Sequence, residues 1–563
     1  MGKDQNERFA EFQAGLIEEY WLHNPGEALH NGYYKYDDRL TVPNEDSQNR
    51  QREFAHGALA DLATFDVSAL RAADASDHAI LVNQMEASLW YLDVFESYRW
   101  DPSEYNVAAG FGLILNTDYK PLNDRLLVIL RRLENVPAYY EAAKANLQKP
   151  TLQHTDFAIK QNKGALGVFV DRIPENLEKS TLSDEEKAAF APKLGAAAEA
   201  INGYVSWLEE LRPSLVAGGA RDFRIGKELY EQKFALDIVS GMSGEELYRQ
   251  AIEDKKKLHA EMISICKDLW SEYFAGTEFP EDELAGVKQM IDHLSVRHIA
   301  REDFLSEIER QMPIIQQYIV DNNLVEIDPT RPLVVRETPE YQRGFAGASV
   351  DSPGPYDATA NTYYNVTPLD HYTEDEAESY LREYNHWVLQ VLNIHEALPG
   401  HYAQLVQANK SPSLVKSLFG NGAMIEGWAV YSERMMLESG YGDNEPEMWL
   451  MYAKWNLRVV VNTIIDYAIQ VLGMSEQEVL DMLINEAFQE QTEATGKWRR
   501  ATLSQVQLTS YYSGYKGIYG FREELKQTQG DRFDLKAFHD EFLSYGSAPV
   551  PVIKRLMLDE MAR

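Results

Sequence analysis

A single cysteine, Cys266, occurs in 563 residues, which excludes an intrachain disulfide and any multi-cysteine metal site. Long apolar runs are missing as well: no stretch reaches the roughly 18 uninterrupted apolar residues of a membrane span. The opening Met1-Gly2-Lys3-Asp4-Gln5-Asn6 carries no apolar leader segment, and Asn6 stands where a myristoylation signal needs Ser or Thr. Together these absences predict a cytoplasmic protein with no membrane partner. Positive charge is scarce, with 54 Lys and Arg against 89 Asp and Glu and a net charge of −35. Such a surface repels a phosphate backbone and excludes nucleic acid as a partner. Spread along the chain instead of gathered in a tail, the charge reads as a solvated, solubilising face.

What is there is a helical pattern on a chain long enough for one very large core or two to three smaller ones. Apolar residues recur at three-and-four spacing over Leu126 to Leu147, Asp184 to Leu211, Glu245 to Ala275 and Glu374 to Ile394, as amphipathic helices require. Pro137 and Pro192 interrupt the first two, predicting a kink or two successive helices in each. Ser183 before Asp184-Glu185-Glu186 and Thr373 before Glu374-Asp375-Glu376 read as N-caps with acidic first turns. One region departs from the pattern. Arg331 to Thr338, Gly344 to Val350 and Asn361 to Pro368 are short, β-prone and separated by Pro, Gly and Asp, which predicts a small antiparallel sheet. Its edge could hold an extended peptide by backbone hydrogen bonds, or it could only cover a helix. The expected fold class is mainly α, with a seam near residues 325 to 345, lobes 1–330 and 331–563, and a cleft between them.

The run Asn393-Ile394-His395-Glu396-Ala397-Leu398-Pro399-Gly400-His401 sets a His-Glu pair six residues ahead of a second His. Two neutral imidazoles can hold Zn²⁺, and a Glu beside the first can take a proton from a water attacking a carbonyl. In a regular helix, His residues at i and i+4 lie about 40° apart, whereas i and i+6 lie about 240° apart. His395 and His401 therefore converge only if Pro399-Gly400 distorts the turn by a bulge or a break. A third ligand is expected from a following helix. Glu426 is the better candidate in Met424-Ile425-Glu426-Gly427-Trp428-Ala429-Val430-Tyr431-Ser432-Glu433, since Gly427 permits close approach of the metal or another backbone. Glu433, on nearly the same helix face, suits a hydrogen bond to a ligand imidazole. Taken singly, a His on an apolar helix is usually core, and a buried Glu pairs with an Arg such as Arg434 or Arg458. Two His and two Glu within 32 residues instead point to a metal site.

These residues resemble the bacterial family known as domain of unknown function 885, placed in the zincin (gluzincin-like) metallopeptidase clan. HEALPGHYAQ, from His395, is similar to its HExxPGHxxQ, and IEGWAVYSER, from Ile425, to its EGWAxYxE. His23 to Tyr34 and Arg132 to Pro150 resemble its N-terminal helices. The resemblance implies one family-level domain over the whole chain, a large helical zincin-like fold around a deep cleft, His395, His401 and Glu426 as ligands of one Zn²⁺, and Glu396 as the base. Gln507-Leu508-Thr509-Ser510-Tyr511-Tyr512-Ser513-Gly514 resembles the family's QALxYxxG, with Arg522 at its downstream Arg. Tyr511 is the residue matched there, and its hydroxyl could serve an oxyanion. Glu433, Asp466, Gln507, Tyr512 and Arg522 are the expected ligand-orienting or substrate-side groups. Two departures bear on that side: Asn462-Thr463-Ile464-Ile465-Asp466 replaces the family's DTGxH, and Gln505-Val506 its Pro-Gly.

The expected activity is zinc-dependent hydrolysis of short peptides, by carboxypeptidase, dipeptidase or oligopeptidase action. Two rivals are a zinc hydrolase of non-peptide amides or esters, and a catalytically inactive descendant that binds peptides.

Overall fold

Side-chain caps decide where many of the helices start. In the computed structural model, which describes residues 4–339, 343, 347–357 and 361–562, Ser183 and Thr373 both close capping boxes, with Glu186 and Glu376 returning the bond. The prolines act as the pattern predicts. Pro137 lies in the first turn of Val136–Asn146, which follows Leu122–Leu133, and Pro192 in the first turn of Phe190–Ser214, which follows Asp184–Ala188. A first turn tolerates Pro because its N–H would have no helical partner. The stretch from Glu374 also divides, into α1 (Glu374–Glu383) and α2 (Val388–Glu396). Between them the Asn385 side chain accepts from the amides of Trp387 and Val388 at 3.2 and 3.3 Å, restarting the helix in a new direction.

The chain forms two compact units. The first holds the residues up to Phe223 and takes in residues 353–357; its helices enclose a core in which Phe111, Tyr140, Phe169 and Tyr204 are buried. The second begins at Arg224 and carries every sequence-predicted site residue. The expected lobe boundary at 330/331 thus falls inside this second unit. Among the described residues no helix is long and apolar enough to cross a membrane.

The fold is mainly α with one three-stranded sheet: β1 (Leu333–Glu337), β2 (Ala348–Asp351) and β3 (Thr362–Val366), in the order β1-β3-β2. The sheet is mixed and not antiparallel as expected. β1 runs parallel to β3, with Leu333 opposite Thr362, while β2 runs antiparallel, with Ala348 opposite Val366. Strand propensity locates strands without fixing their direction; here the chain carries β2 past the far edge of β3, so β3 returns alongside β1. The Gly344-Phe345-Ala346 part of the expected second strand lies outside the described residues. Tyr364 of β3 is buried and its hydroxyl donates to Asn393 of α2 at 2.9 Å, which fastens the sheet to the helix bearing His395.

Four further helices build the second unit's centre: α3 (His401–Ala408), α4 (Gly422–Glu438), α5 (Pro446–Tyr467) and, after α6 (Gln491–Leu503), α7 (Ser510–Gln529). The crossing of α4 with α7 is set by glycine on both sides. A Cβ on Gly427 would lie 2.3 Å from the backbone of Gly514, and one on Gly514 would lie 1.7 Å from the Ala423 carbonyl oxygen. Such an approach admits no side chain at either position. By contrast a Cβ on Gly422, in the first turn of the same helix, meets nothing within 4 Å. Gly427→Ala is therefore expected to destabilise by about 3 kcal/mol or more and to lower the thermal unfolding midpoint clearly, while Gly422→Ala leaves it within about 0.5 kcal/mol of wild type; equal midpoints for the two variants would contradict the crossing.

Candidate metal centre

The helix carrying His395 breaks, and the break brings the two histidines together. α2 ends at Glu396, Ala397 takes φ −110° and ψ −88°, and α3 starts at His401 with Gly400 as its N-cap. The Gly400 amide donates to the Ile394 carbonyl at 3.0 Å, folding the turn back on its own helix. A Cβ on Gly400 would stand 1.8 Å from the His395 carbonyl oxygen, so only glycine fits. Trp428 of α4 pins the turn from outside by donating its Nε1–H to the Pro399 carbonyl at 2.8 Å. As a result the His395 and His401 rings lie 4.8 Å apart between centroids and almost perpendicular, at 89°.

α4 supplies the third group. Asn421 caps it by accepting from the Met424 amide, and Glu426 projects from its second turn with Oε2 3.2 Å from His401 Nε2 and 3.8 Å from His395 Nε2. Donor atoms of the three residues all lie within 4.8 Å of one another. In a tetrahedral zinc site, metal–donor distances of about 2.0–2.1 Å place donors roughly 3.3 Å apart, near the 3.2 and 3.8 Å from Glu426 to the two imidazoles. One buried atom facing the centre, Glu426 Oε2, has no hydrogen-bond partner among the described residues. Buried polar atoms are seldom left so. Two imidazoles and a carboxylate facing one point fit a divalent ion.

Glu433, seven residues after Glu426, is fully buried and makes the hydrogen bond anticipated for it: His395 Nδ1 and its Oε1 lie 2.6 Å apart. Trp455 of α5 donates to the same oxygen at 3.0 Å. With the proton on Nδ1, the Nε2 lone pair of His395 faces the centre. Burial, reinforced by neighbouring His401, depresses the His395 ring to about 4, so it is neutral at physiological pH. Burial also works against a charged His401, but adjacent Glu426 outweighs it and raises that ring. Burial raises Glu396 above the ordinary carboxylate range, with His395 and His401 opposing.

Of the remaining predicted residues, two belong here. The Tyr511 ring stacks on His395 at 6.3 Å, and Arg500 Nη2 donates to both the Tyr511 hydroxyl and Gln507 Oε1 at 2.9 Å. The others bond elsewhere. Tyr512 donates to Asp254, because adjacent helical residues point about 100° apart. Arg522 pairs with Glu438 and Glu523. Asp466 accepts from the Tyr230 hydroxyl at 2.7 Å and the Val506 amide at 2.9 Å, and burial raises its carboxyl to about 6 against those two donors. Its contact with Val506 joins the two departures from the family pattern. Val506 replaces the pattern's Gly yet holds φ +71°, a conformation unusual for a β-branched residue, and the Asp466 bond restrains it. Arg500 itself was not foreseen; with Glu493 and Lys497 it forms a charged i, i+4, i+7 stripe on α6, a pattern that reads as solvated surface in a sequence.

A family model described as a bacterial protein of unknown function, DUF885, matches residues 25–557. The chain belongs to the DUF885 family. A solved structure of a candidate lipoprotein of unknown function from Shewanella oneidensis is similar to it at 53% identity, with a TM-score of 0.87, over 98% of this chain and 99% of that one. A candidate lipoprotein from Colwellia psychrerythraea shares the fold at 17% identity, with a TM-score of 0.81 over 99% of both chains. No curated protein matches. These descriptions overturn the cytoplasmic expectation, since a lipoprotein is anchored to a membrane outside the cytoplasm.

If Glu433 orients His395, Glu433→Ala should lower the affinity for added Zn²⁺ by about 10- to 100-fold, read by competition with a chromogenic chelator. Unchanged affinity would contradict the orienting role.

Proposed function

We propose that the chain is a zinc-dependent peptidase of zincin (gluzincin-like) type acting on short peptides, with one Zn²⁺ held by His395, His401 and Glu426. The convergence of their three donor atoms within 4.8 Å, directly beside Glu396, carries this reading. When bound, zinc in such a set supplies a Lewis acid and a water of lowered pKa.

The chain's own groups divide the remaining work. Glu396, adjacent in sequence to one ligand, accepts the proton of the attacking water on its carboxylate and returns it to the leaving amine nitrogen. Its raised proton affinity suits that exchange. The Tyr511 hydroxyl accepts a hydrogen bond from Arg500, which leaves its own O–H free to donate to the oxyanion developing on the scissile carbonyl. The description of the Shewanella relative as a candidate lipoprotein supports a location outside the cytoplasm.

The test is metal content by elemental analysis together with cleavage of a mixed oligopeptide pool. Wild type is expected to hold about one zinc per chain and to lose cleavage on chelation, and Glu426→Ala to lose both. Glu396→Gln should keep the metal and lose about 10²- to 10⁴-fold in turnover; Tyr511→Phe should keep the metal and lose about 10²- to 10³-fold. Zinc-loaded wild type that leaves every peptide intact but hydrolyses non-peptide amides or esters would replace the peptidase reading, and wild type inert with added zinc would point to a peptide-binding descendant.

A further inference from the structure

Beside the metal centre stand four basic side chains, of which two have a close carboxylate partner of their own. Lys454 of α5 pairs with Glu383 of α1 at 2.8 Å, both almost fully buried. One helical turn on, Arg458 pairs with Glu493 of α6 at 2.6 Å. Those two carboxylates are thereby occupied, yet α6 brings two more cations on the same face, Lys497 and Arg500. Lys497 is 4% exposed; its nearest carboxylate is the shared Glu493, at 3.9 Å, and among the described residues its ammonium has no hydrogen-bond acceptor. Arg500 spends its Nη2 on two neutral oxygens, Gln507 Oε1 and the Tyr511 hydroxyl.

An ammonium on so buried a side chain gains from an acceptor, and Lys497 is pushed well below its usual proton affinity by desolvation first and then by Arg458, with Glu493 opposing and Arg500 adding to it. One anion would relieve both. Arg500 faces the centre through Tyr511, whose hydroxyl is bonded to Arg500 and whose ring stacks on His395, and Lys497 precedes it by one helical turn on α6. Arg500 also feels Glu426 electrostatically, and Glu426 feels Arg500. An anion held by Lys497 and Arg500 is therefore a near neighbour of the bond positioned at the metal centre.

We propose that Lys497 and Arg500 hold the C-terminal α-carboxylate of the substrate peptide, so that the enzyme cleaves close to a free C terminus. This rests on the peptidase reading for its substrate and narrows the three modes of action to a carboxypeptidase type. A planar guanidinium with a neighbouring ammonium matches the geometry and charge of a carboxylate. Arg458 and Lys454 serve as positioning residues, because their charges are already paired with Glu493 and Glu383.

Binding tests the assignment separately from turnover. Zinc-loaded Glu396→Gln protein is incubated with three tetrapeptide pools lacking internal Asp and Glu: free acids, the same peptides amidated, and amidated peptides ending in Glu. Retained peptides are counted by mass spectrometry. The free acids are expected to be retained about 10- to 100-fold more tightly than either amidated pool. In the same background Lys497→Met and Arg500→Met should erase that preference, and Arg500→Lys should restore part of it. In otherwise wild-type protein the two Met variants should raise KM for free acids more than they lower kcat, at unchanged zinc content. Equal retention of free acids and amides, a preference unaffected by both Met variants, or amidated Glu peptides bound as well as free acids would overturn the assignment. Acid-selective binding by a wild type that cleaves nothing would instead sink the peptidase reading and leave the carboxylate site standing.

Discussion

The reversal of the chain between Glu396 and His401 is the constraint on which the centre depends. Six residues separate the histidines, and a continuous helix would send their rings to different faces. The turn closes because the Gly400 amide reaches back to Ile394 and because Gly400 has no Cβ to strike the His395 carbonyl. A second absence of side chains, at Gly427 and Gly514, lets α7 lie directly on α4 and so delivers Tyr511 to the face of His395. Two close backbone approaches thus bring His395, His401 and Glu426 of α2, α3 and α4 together with Tyr511 of α7 beside them.

Electrostatics then decides what that point favours. Glu426 and Glu433 rise from α4 into a helical core, where an uncompensated carboxylate is strongly disfavoured. Glu433 is answered by His395 and Trp455, a pairing that fixes the imidazole tautomer and leaves the Nε2 lone pair inward. Glu426 meets both His Nε2 atoms without a hydrogen bond to its Oε2. A divalent cation equidistant from these atoms would satisfy all three at once. The opposite imbalance sits behind Tyr511, where Arg500 and Lys497 exceed the available carboxylates. Under the proposed function a cation position and an anion position would lie side by side, the charge pattern of a peptide terminus bound across a metal.

Much of this was legible in the residue order. The His-Glu-x-x-Pro-Gly-His run and the Glu426 to Glu433 spacing point to the grouping of His395, His401 and Glu426 and to the carboxylate bonded to His395, because each depends on local geometry along one or two helices. The caps at Ser183 and Thr373 were equally local. Strand direction was not, since it depends on the path taken between β1 and β3, and neither was the division at Asn385, where a side chain restarts the helix. Arg500 and Lys497 escaped for a related reason: on α6 alone they read as a wet face, and only tertiary packing buries Lys497 and turns Arg500 to Tyr511. Tyr512 and Tyr511 are adjacent and alike in sequence, and a rotation of one residue sends one to Asp254 and the other to the centre.

The central claim is that His395, His401 and Glu426 share one metal ion, and X-ray absorption at the zinc edge tests it most directly. Protein loaded with one equivalent of Zn²⁺ is predicted to show a shell of nitrogen and oxygen donors at about 2.0–2.1 Å with two imidazoles, falling to one imidazole in His401→Ala. A wild-type shell with one imidazole or none, or a shell that His401→Ala leaves unchanged, would contradict the account.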